Sequence, residues 1–416
     1  MAVSKSVAQV SQNTVSFAYT GNAIPSIGTF TPVLAGEGLR AGPFRVHPFL
    51  GVAETYTDNA FRSNSNRQSD FIHTVAPGVQ VQLPFAGSHQ LMFDYRASQW
   101  WSQRFSQNNV LRQDVTGQLA FDFPGGLALQ LQGGYTSGFD VRGSAVDVQA
   151  REPTKWTNKT FVGEAEIIGS QLGVRVRSRV TDWNFTNNNQ GPRRDRIDTR
   201  MDLTVFGAIG PKTFALLNSG VTRQVYDQNT QLDSLNFRVS SGLRWRATGK
   251  TTGEIQVGYE FLNFDRAPMT QSAGSLLSSG GNSRQNLRIT GNVDWNATGR
   301  STIRLRPFRV IRQSGVFNTS TFTQTGVGLT ARHAMGIRTT INGNFRFSND
   351  AFKSDEGTQT SRSRTDNRLQ GSIGITYRAV RWLGITGEYQ YQQRHSTLDQ
   401  FEFYANTFMI SLQGVF

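Results

Sequence analysis

Phe408-Met409-Ile410-Ser411-Leu412-Gln413-Gly414-Val415-Phe416 is the stretch whose reading decides the fold. Side chains of an extended chain point alternately to opposite sides. Phe408, Ile410, Leu412 and Phe416 therefore share one face, and Thr407, Ser411 and Gln413 share the other. An apolar face for lipid, a polar face for a lumen and a terminal aromatic form the signature of an outer-membrane β-barrel. The same two-sided strand recurs upstream with no helical interruption.

Composition agrees. No stretch approaches the roughly 18 apolar residues of a membrane helix. A closed barrel satisfies its backbone in lipid with only one apolar face per strand, so a mean hydropathy of −0.41 is compatible with the membrane. The 42 Gly and 29 Phe in 416 residues suit many turns and a lipid-facing wall. Cysteine is absent, which removes disulfides, thiolate metal sites and haem attachment; neither cofactor nor metal is expected.

From Phe44 onward the period-2 pattern divides into 18 strands, give or take one hairpin. Tight connections such as Pro124-Gly125-Gly126, Gly210-Pro211-Lys212 and Thr298-Gly299-Arg300 alternate with longer polar ones, including 57–67, 138–155, 187–194, 265–282 and 350–362. Short periplasmic turns and long outer loops have this order, so the expectation is an all-β, transmembrane, antiparallel up-and-down barrel with both termini periplasmic. Trp245, Trp295, Trp382, Phe123 and Phe206 near the tight turns, and Trp101, Tyr135, Trp183, Phe347 and Tyr391 near the long loops, are expected to form two aromatic girdles. The weak ninth strand, 214–226, carries Asn218 and Ser219 at its centre and is expected to hold a protein-facing patch.

Residues 1–43, rich in Ser, Gly and Pro, precede the barrel (44–416) as a periplasmic tail or a small plug. Met1-Ala2-Val3-Ser4-Lys5 lacks the apolar core of an export signal, so this start reads as an expression start or an edited mature terminus.

Lys+Arg totals 43 against 29 Asp+Glu, a net charge of +14, and all but six of the bases are Arg. If the apolar positions face lipid, the interleaved face lines the lumen. The pore-lining set is then Arg175, Arg177, Arg179, Arg200, Arg238, Arg244, Arg246, Arg288, Arg304, Arg306, Arg338, Arg346, Arg368 and Arg378. Glu164, Glu166, Asp198, Asp202, Glu254, Glu260, Asp294 and Glu388 share that face. Pairing with these carboxylates would stiffen the wall, yet bases outnumber acids, and the surplus predicts a lumen biased toward anions. Arginine dispersed strand by strand is not a nucleic-acid patch. The five His sit on separate strands and ends, no Ser-His-carboxylate set assembles, and no catalytic residue is expected.

Two segments resemble a known family. Phe44-Arg45-Val46-His47-Pro48-Phe49-Leu50-Gly51-Val52-Ala53-Glu54-Thr55-Tyr56-Thr57-Asp58-Asn59-Ala60-Phe61 resembles the opening strand of the putative β-barrel porin 2 group. Ser69-Asp70-Phe71-Ile72-His73-Thr74-Val75-Ala76-Pro77-Gly78-Val79-Gln80-Val81 resembles its second strand, with the Pro-Gly bend. That resemblance implies an outer-membrane barrel linked to exopolysaccharide or capsule production. The leading expectation is thus a passive channel for hydrophilic anionic solutes or polysaccharide. Its implied partners are outer-membrane lipid, the barrel-assembly machinery acting through Phe416, and an anionic solute or polysaccharide; a homo-oligomer stays compatible. A general-diffusion porin would narrow its pore with inward-folded loops, for which 138–155 and 265–282 are candidates. The alternative from another class is a scaffold barrel that sheathes a partner such as an electron-transfer subunit and has no open pore.

Overall fold

The computed structural model describes residues 38–86, 88–265, 283–314, 321–353 and 364–416. A three-residue strand, β1 (Leu39–Ala41), precedes β2 (Phe44–Thr57), β3 (Asp70–Phe85), β4 (His89–Ser102), β5 (Val110–Asp122), β6 (Leu127–Phe139) and β7 (Lys155–Ile168). Next come β8 (Leu172–Phe185), β9 (Arg196–Gly210), β10 (Thr213–Tyr226), β11 (Ser234–Thr248), β12 (Thr251–Phe264) and β13 (Ser283–Thr298). The ring is completed by β14 (Ser301–Gln313), β15 (Thr321–Ala334), β16 (Thr339–Lys353), β17 (Arg364–Val380), β18 (Leu383–Ser396) and β19 (Phe403–Val415).

Each strand from β2 to β19 pairs antiparallel with the next, and β19 pairs with β2 from Thr407↔Thr57 to Val415↔Phe49. Eighteen strands thus close a barrel, as the hydropathy pattern predicts. Closure pairs the first wall strand with the last, which lets strands sit in hydrocarbon. The shortest strands of the wall have 13 residues. At about 3.3 Å per residue and a tilt near 40° they rise about 33 Å, beyond the ~25 Å apolar band, so strand ends stand clear of it.

The terminal strand behaves as its pattern dictates. Phe408, Ile410 and Leu412 are 52%, 66% and 42% exposed toward lipid, whereas Thr407, Ser411 and Gln413 are buried toward the lumen. Phe416 stacks on Trp382 at 5.6 Å, and its amide donates to Pro48 O at 3.0 Å. Where β19 has run out, β1 takes its place against β2, Ala41 opposite Phe44. Residues 38–43 of the expected tail therefore belong to a hairpin at the inner rim; residues 1–37 lie outside the described residues. Phe49 points inward over Gly78, where a Cβ would lie 2.1 Å from the ring. That close approach is what the Pro77-Gly78 bend provides. Pro77, which has no amide to donate, falls in a gap of the β3–β4 ladder between Val75↔Gln99 and Gly78↔Arg96.

Two of the expected girdle residues do not face lipid. Phe206 is 1% exposed and inward on β9, whose outward face carries Ile197, Met201 and Leu203. Trp183 is buried inside, 5.2 Å from Trp156. Both share the parity of the lumenal face, which outweighs their position near a strand end. The weak strand also has a physical cause. Asn218 faces inward and donates to Thr204 Oγ1 at 2.9 Å, and Gly220 is held small by an ion pair above it.

Candidate functional site: the arginine-lined lumen

The lumenal arginines are built into a network by their strand register. Arg175 on β8 contacts Glu166 on β7, directly opposite in register, and Arg244 on β11 reaches the same carboxylate at 3.6 Å. Both guanidinium groups lie over Phe206, at 5.1 and 5.2 Å from the ring centre, a favourable placement for a cation on a π face. Arg177 pairs with Glu164 at 3.6 Å. Asp202 on β9 accepts Arg200 at 2.5 Å and Arg238 on β11 at 3.2 Å. Arg288 meets Glu260 at 3.6 Å, Arg304 meets Asp294, and Arg368 meets Asp350 at 2.7 Å.

The other expected pore residues are placed differently. Arg306 donates to Asn292 Oδ1 at 3.1 Å, and Arg346 lies 4.6 Å over the Phe308 ring. Arg179 is half-buried among Arg177, Arg200 and Asp202. Arg246 and Arg378 are exposed at the inner ends of β11 and β17. Arg338 is not on a strand: it is exposed in the inner turn between β15 and β16. No described carboxylate comes within 4.0 Å of Arg246, Arg332, Arg338, Arg378 or Lys212, so the inner mouth carries cations that the wall does not neutralise.

The outer half of the lumen is crossed by chain. The segment 140–154, between β6 and β7, leaves the wall and packs Ala145 against Phe322 of β15 and Phe352 of β16, half-way round the ring. Arg394 on β18, 1% exposed, donates from Nη1 to Ser144 O at 3.3 Å and from Nε to Phe401 O. Gln149 donates to Gln400 O at 3.1 Å. The base of the crossing is pinned by Asp140, which accepts Arg194 at 2.7 Å and the Trp156 indole at 3.1 Å. Burial pushes the Asp140 carboxyl up in spite of Arg194. Beside the crossing, Arg62 donates to Gln392 Oε1 at 3.0 Å, and its burial pushes it down to about 10. Of the two candidate constriction loops, 138–155 is folded inward; 265–282 lies outside the described residues except at Asp265.

A second inward element is the outer end of β14. Ile311 N–H donates to Glu260 on β12 at 2.5 Å, and the Tyr226 hydroxyl on β10 donates to Gln313 at 2.5 Å. Both contacts skip over intervening strands, so this end has left the wall.

A family model described as Putative beta-barrel porin 2 matches residues 31–416. The chain belongs to that family. It is an outer-membrane β-barrel of transport type. Among solved structures, this porin-family barrel is similar to the FrpB iron transporter from Neisseria meningitidis, with 10% identity, coverage of 91% of this chain and 82% of that one, and a TM-score of 0.46. The siderophore receptor PirA from Acinetobacter baumannii aligns at 9% identity over 89% and 80%, TM-score 0.43. A bacterial polysaccharide outer membrane secretin aligns at 9% over 89% and 98%, TM-score 0.35. No curated protein sequence matches the chain.

Sequence reasoning missed several lumenal arginines of this barrel, Arg332 at the inner mouth among them, and three at the outer end stand out. Arg364 is clasped by Asp366 and lies 3.6 Å over Phe401, Arg394 anchors the crossing loop, and Arg142 approaches Asp147 at 3.9 Å. The signal for the first two was available. Arg364 shares the parity of Arg368 on β17, and Arg394 that of Glu388 on β18. Arg142 had none, since loop residues carry no period.

Proposed function

We propose that this barrel is a passive channel for hydrophilic anions, anionic saccharides among them, loaded from its inner mouth. The observation that carries the reading is the placement of unneutralised charge. Through the middle of the wall Arg175, Arg177, Arg200, Arg238, Arg288, Arg304 and Arg368 each stand beside a carboxylate, whereas Arg246, Arg332, Arg338, Arg378 and Lys212 at the inner mouth have no described carboxylate within 4.0 Å. Cations at one mouth raise the local concentration of anions there and select by sign. The crossing loop 140–154 acts as the constriction. Conductance and reversal potential in a planar bilayer under a salt gradient test this. Anion selectivity, weakened by Arg246→Ser with Arg338→Ser and Arg378→Ser, supports the reading; cation selectivity overturns it.

One observation favours the second reading, a scaffold barrel closed by its own chain. The 140–154 crossing and the β14 end both fill the outer half. Folded protein that never conducts, even with residues 143–149 replaced by Gly and Ser, would establish that reading in place of the channel.

A further inference from the structure

The wall is not continuous. The β13–β14 ladder rises from the inner end through Val293↔Leu305, skips Gly291 and Asn292 opposite Pro307 and Arg306, and stops at Ile289↔Arg309. Both flanking ladders run on to the outer end, from Asn263↔Ser283 on one side and Gln313↔Thr321 on the other. Residues 283–288 of β13 therefore have no β14 partner. Pro307 starts the break: it has no amide to give β13, and its ring fills the space over Gly291, where a Cβ would lie 2.9 Å from Pro307 Cγ. Beyond it β14 turns inward, and the Ile311 amide that would serve the wall serves Glu260 instead. What remains is a seam lined by Arg284 and Gln285 on one side and by Ile311, Thr321, Phe322 and Thr323 on the other.

The seam opens at the depth of the outer aromatic belt. Tyr259 and Phe261, both on the lipid-facing side of β12, stand in register with Leu287 and Gln285. Its lipid side mixes apolar and neutral polar residues, Leu287 with Gln285 and Thr325, and carries a cation. Leu287 is exposed there, and Arg309 shares the outward face of Leu305. Arg309 holds Thr325 Oγ1 at 2.7 Å with one terminal nitrogen, but its buried Nε donates to nothing among the described residues.

We propose that the β13–β14 seam is a lateral binding site for an anionic amphiphile of the outer leaflet. The acyl chain lies against Leu287 and Ile311, and the anionic head sits on the Arg309 guanidinium. A β13 edge that faces hydrocarbon without its β14 ladder is costly, and a polar head beside it offers acceptors there. The guanidinium's planar donor fork suits a phosphate.

The test uses the full chain in detergent micelles with lysophosphatidic acid spin-labelled on its acyl chain, against the equivalent lysophosphatidylcholine. Saturable binding of the first is expected, weakened tenfold or more by Arg309→Gln. In a chain without native cysteine, Leu287→Cys with Ile311→Cys should zip the seam on oxidation and abolish binding, and reduction should restore it. Binding that ignores both the lock and Arg309→Gln, or that does not distinguish the two lipids, overturns the proposal. If the cysteines do not join, Leu287→Trp decides the matter. Its emission should be quenched saturably by the anionic probe, and absence of quenching overturns the site.

Discussion

Arg238 and Asp202 meet at 3.2 Å although neither strand that carries them is next to the other. The strand between them contributes Gly220, in register with both. A Cβ there would lie 2.3 Å from Asp202 Oδ1 and 2.9 Å from Arg238 Nη2. A salt bridge laid across a strand needs that strand to be bare.

Gly220→Ala should therefore cost about 3 kcal/mol in urea unfolding from lipid vesicles, the scale of parting a buried ion pair. In an Asp202→Ala background the same change should cost less, because the pair and the closer of the two clashes have gone and the Arg238 side chain is free to move aside. Equal costs in the two backgrounds would show that the glycine serves the backbone and not the bridge.

Arg394→Ala should release the crossing loop. The side chain is fully buried and donates to Ser144 O and Phe401 O, so its loss strands the Phe401 carbonyl at roughly 1–3 kcal/mol and leaves Ser144 O only the Asp147 amide at 3.2 Å. Limited proteolysis should then cut within 140–154, where the parent chain resists, and single-channel records should become noisier.

Asp58 should make closure acid-sensitive. It accepts the Asn406 amide at 2.8 Å, Asn406 Nδ2 at 2.7 Å and Arg67 at 2.5 Å. Burial pushes its carboxyl up, but these donors outweigh burial and hold it below its ordinary value of 3.8. A carboxyl held down in the folded state adds stability above its unfolded value, and that stability is lost as pH falls through the folded one. Unfolding in urea at pH 6 and pH 3 should show a smaller acid-induced loss for Asp58→Asn than for the parent.

The seven Trp should separate into two optical classes. Trp295 and Trp382 are exposed to lipid, while Trp156 and Trp183 pack against each other inside. Brominated acyl chains should quench single-Trp proteins that retain Trp295 or Trp382 and spare those that retain Trp156 or Trp183.

Much of this architecture was legible because a barrel wall has one period. Once Ile410 and Ser411 are assigned to opposite faces, parity fixes every inward residue on a strand, Arg175 and Arg238 included. Parity also moves Phe206 and Trp183 inside, once it is weighed above their position near strand ends. Arg338 failed for the opposite reason, because the parity of β16 was carried past the strand into a turn. What stayed hidden depends on the third dimension. Nothing in the segment around Ala145 says that it reaches Phe322 and Phe352. Pro307 signals a weak point in a strand but not that the chain beyond it turns inward.

The ladder between β19 and β2 has a consequence for how the molecule comes into being. It joins Thr407 to Thr57, 350 positions apart. Contacts so distant in sequence repay their entropy only when they form, and they slow folding. Until that last pairing is made, every intermediate sheet carries two raw edges able to capture other chains. The final strand, with Phe416 reaching Pro48, is thus the clasp of the structure. The time between synthesis and clasping is when this protein is most exposed to aggregation.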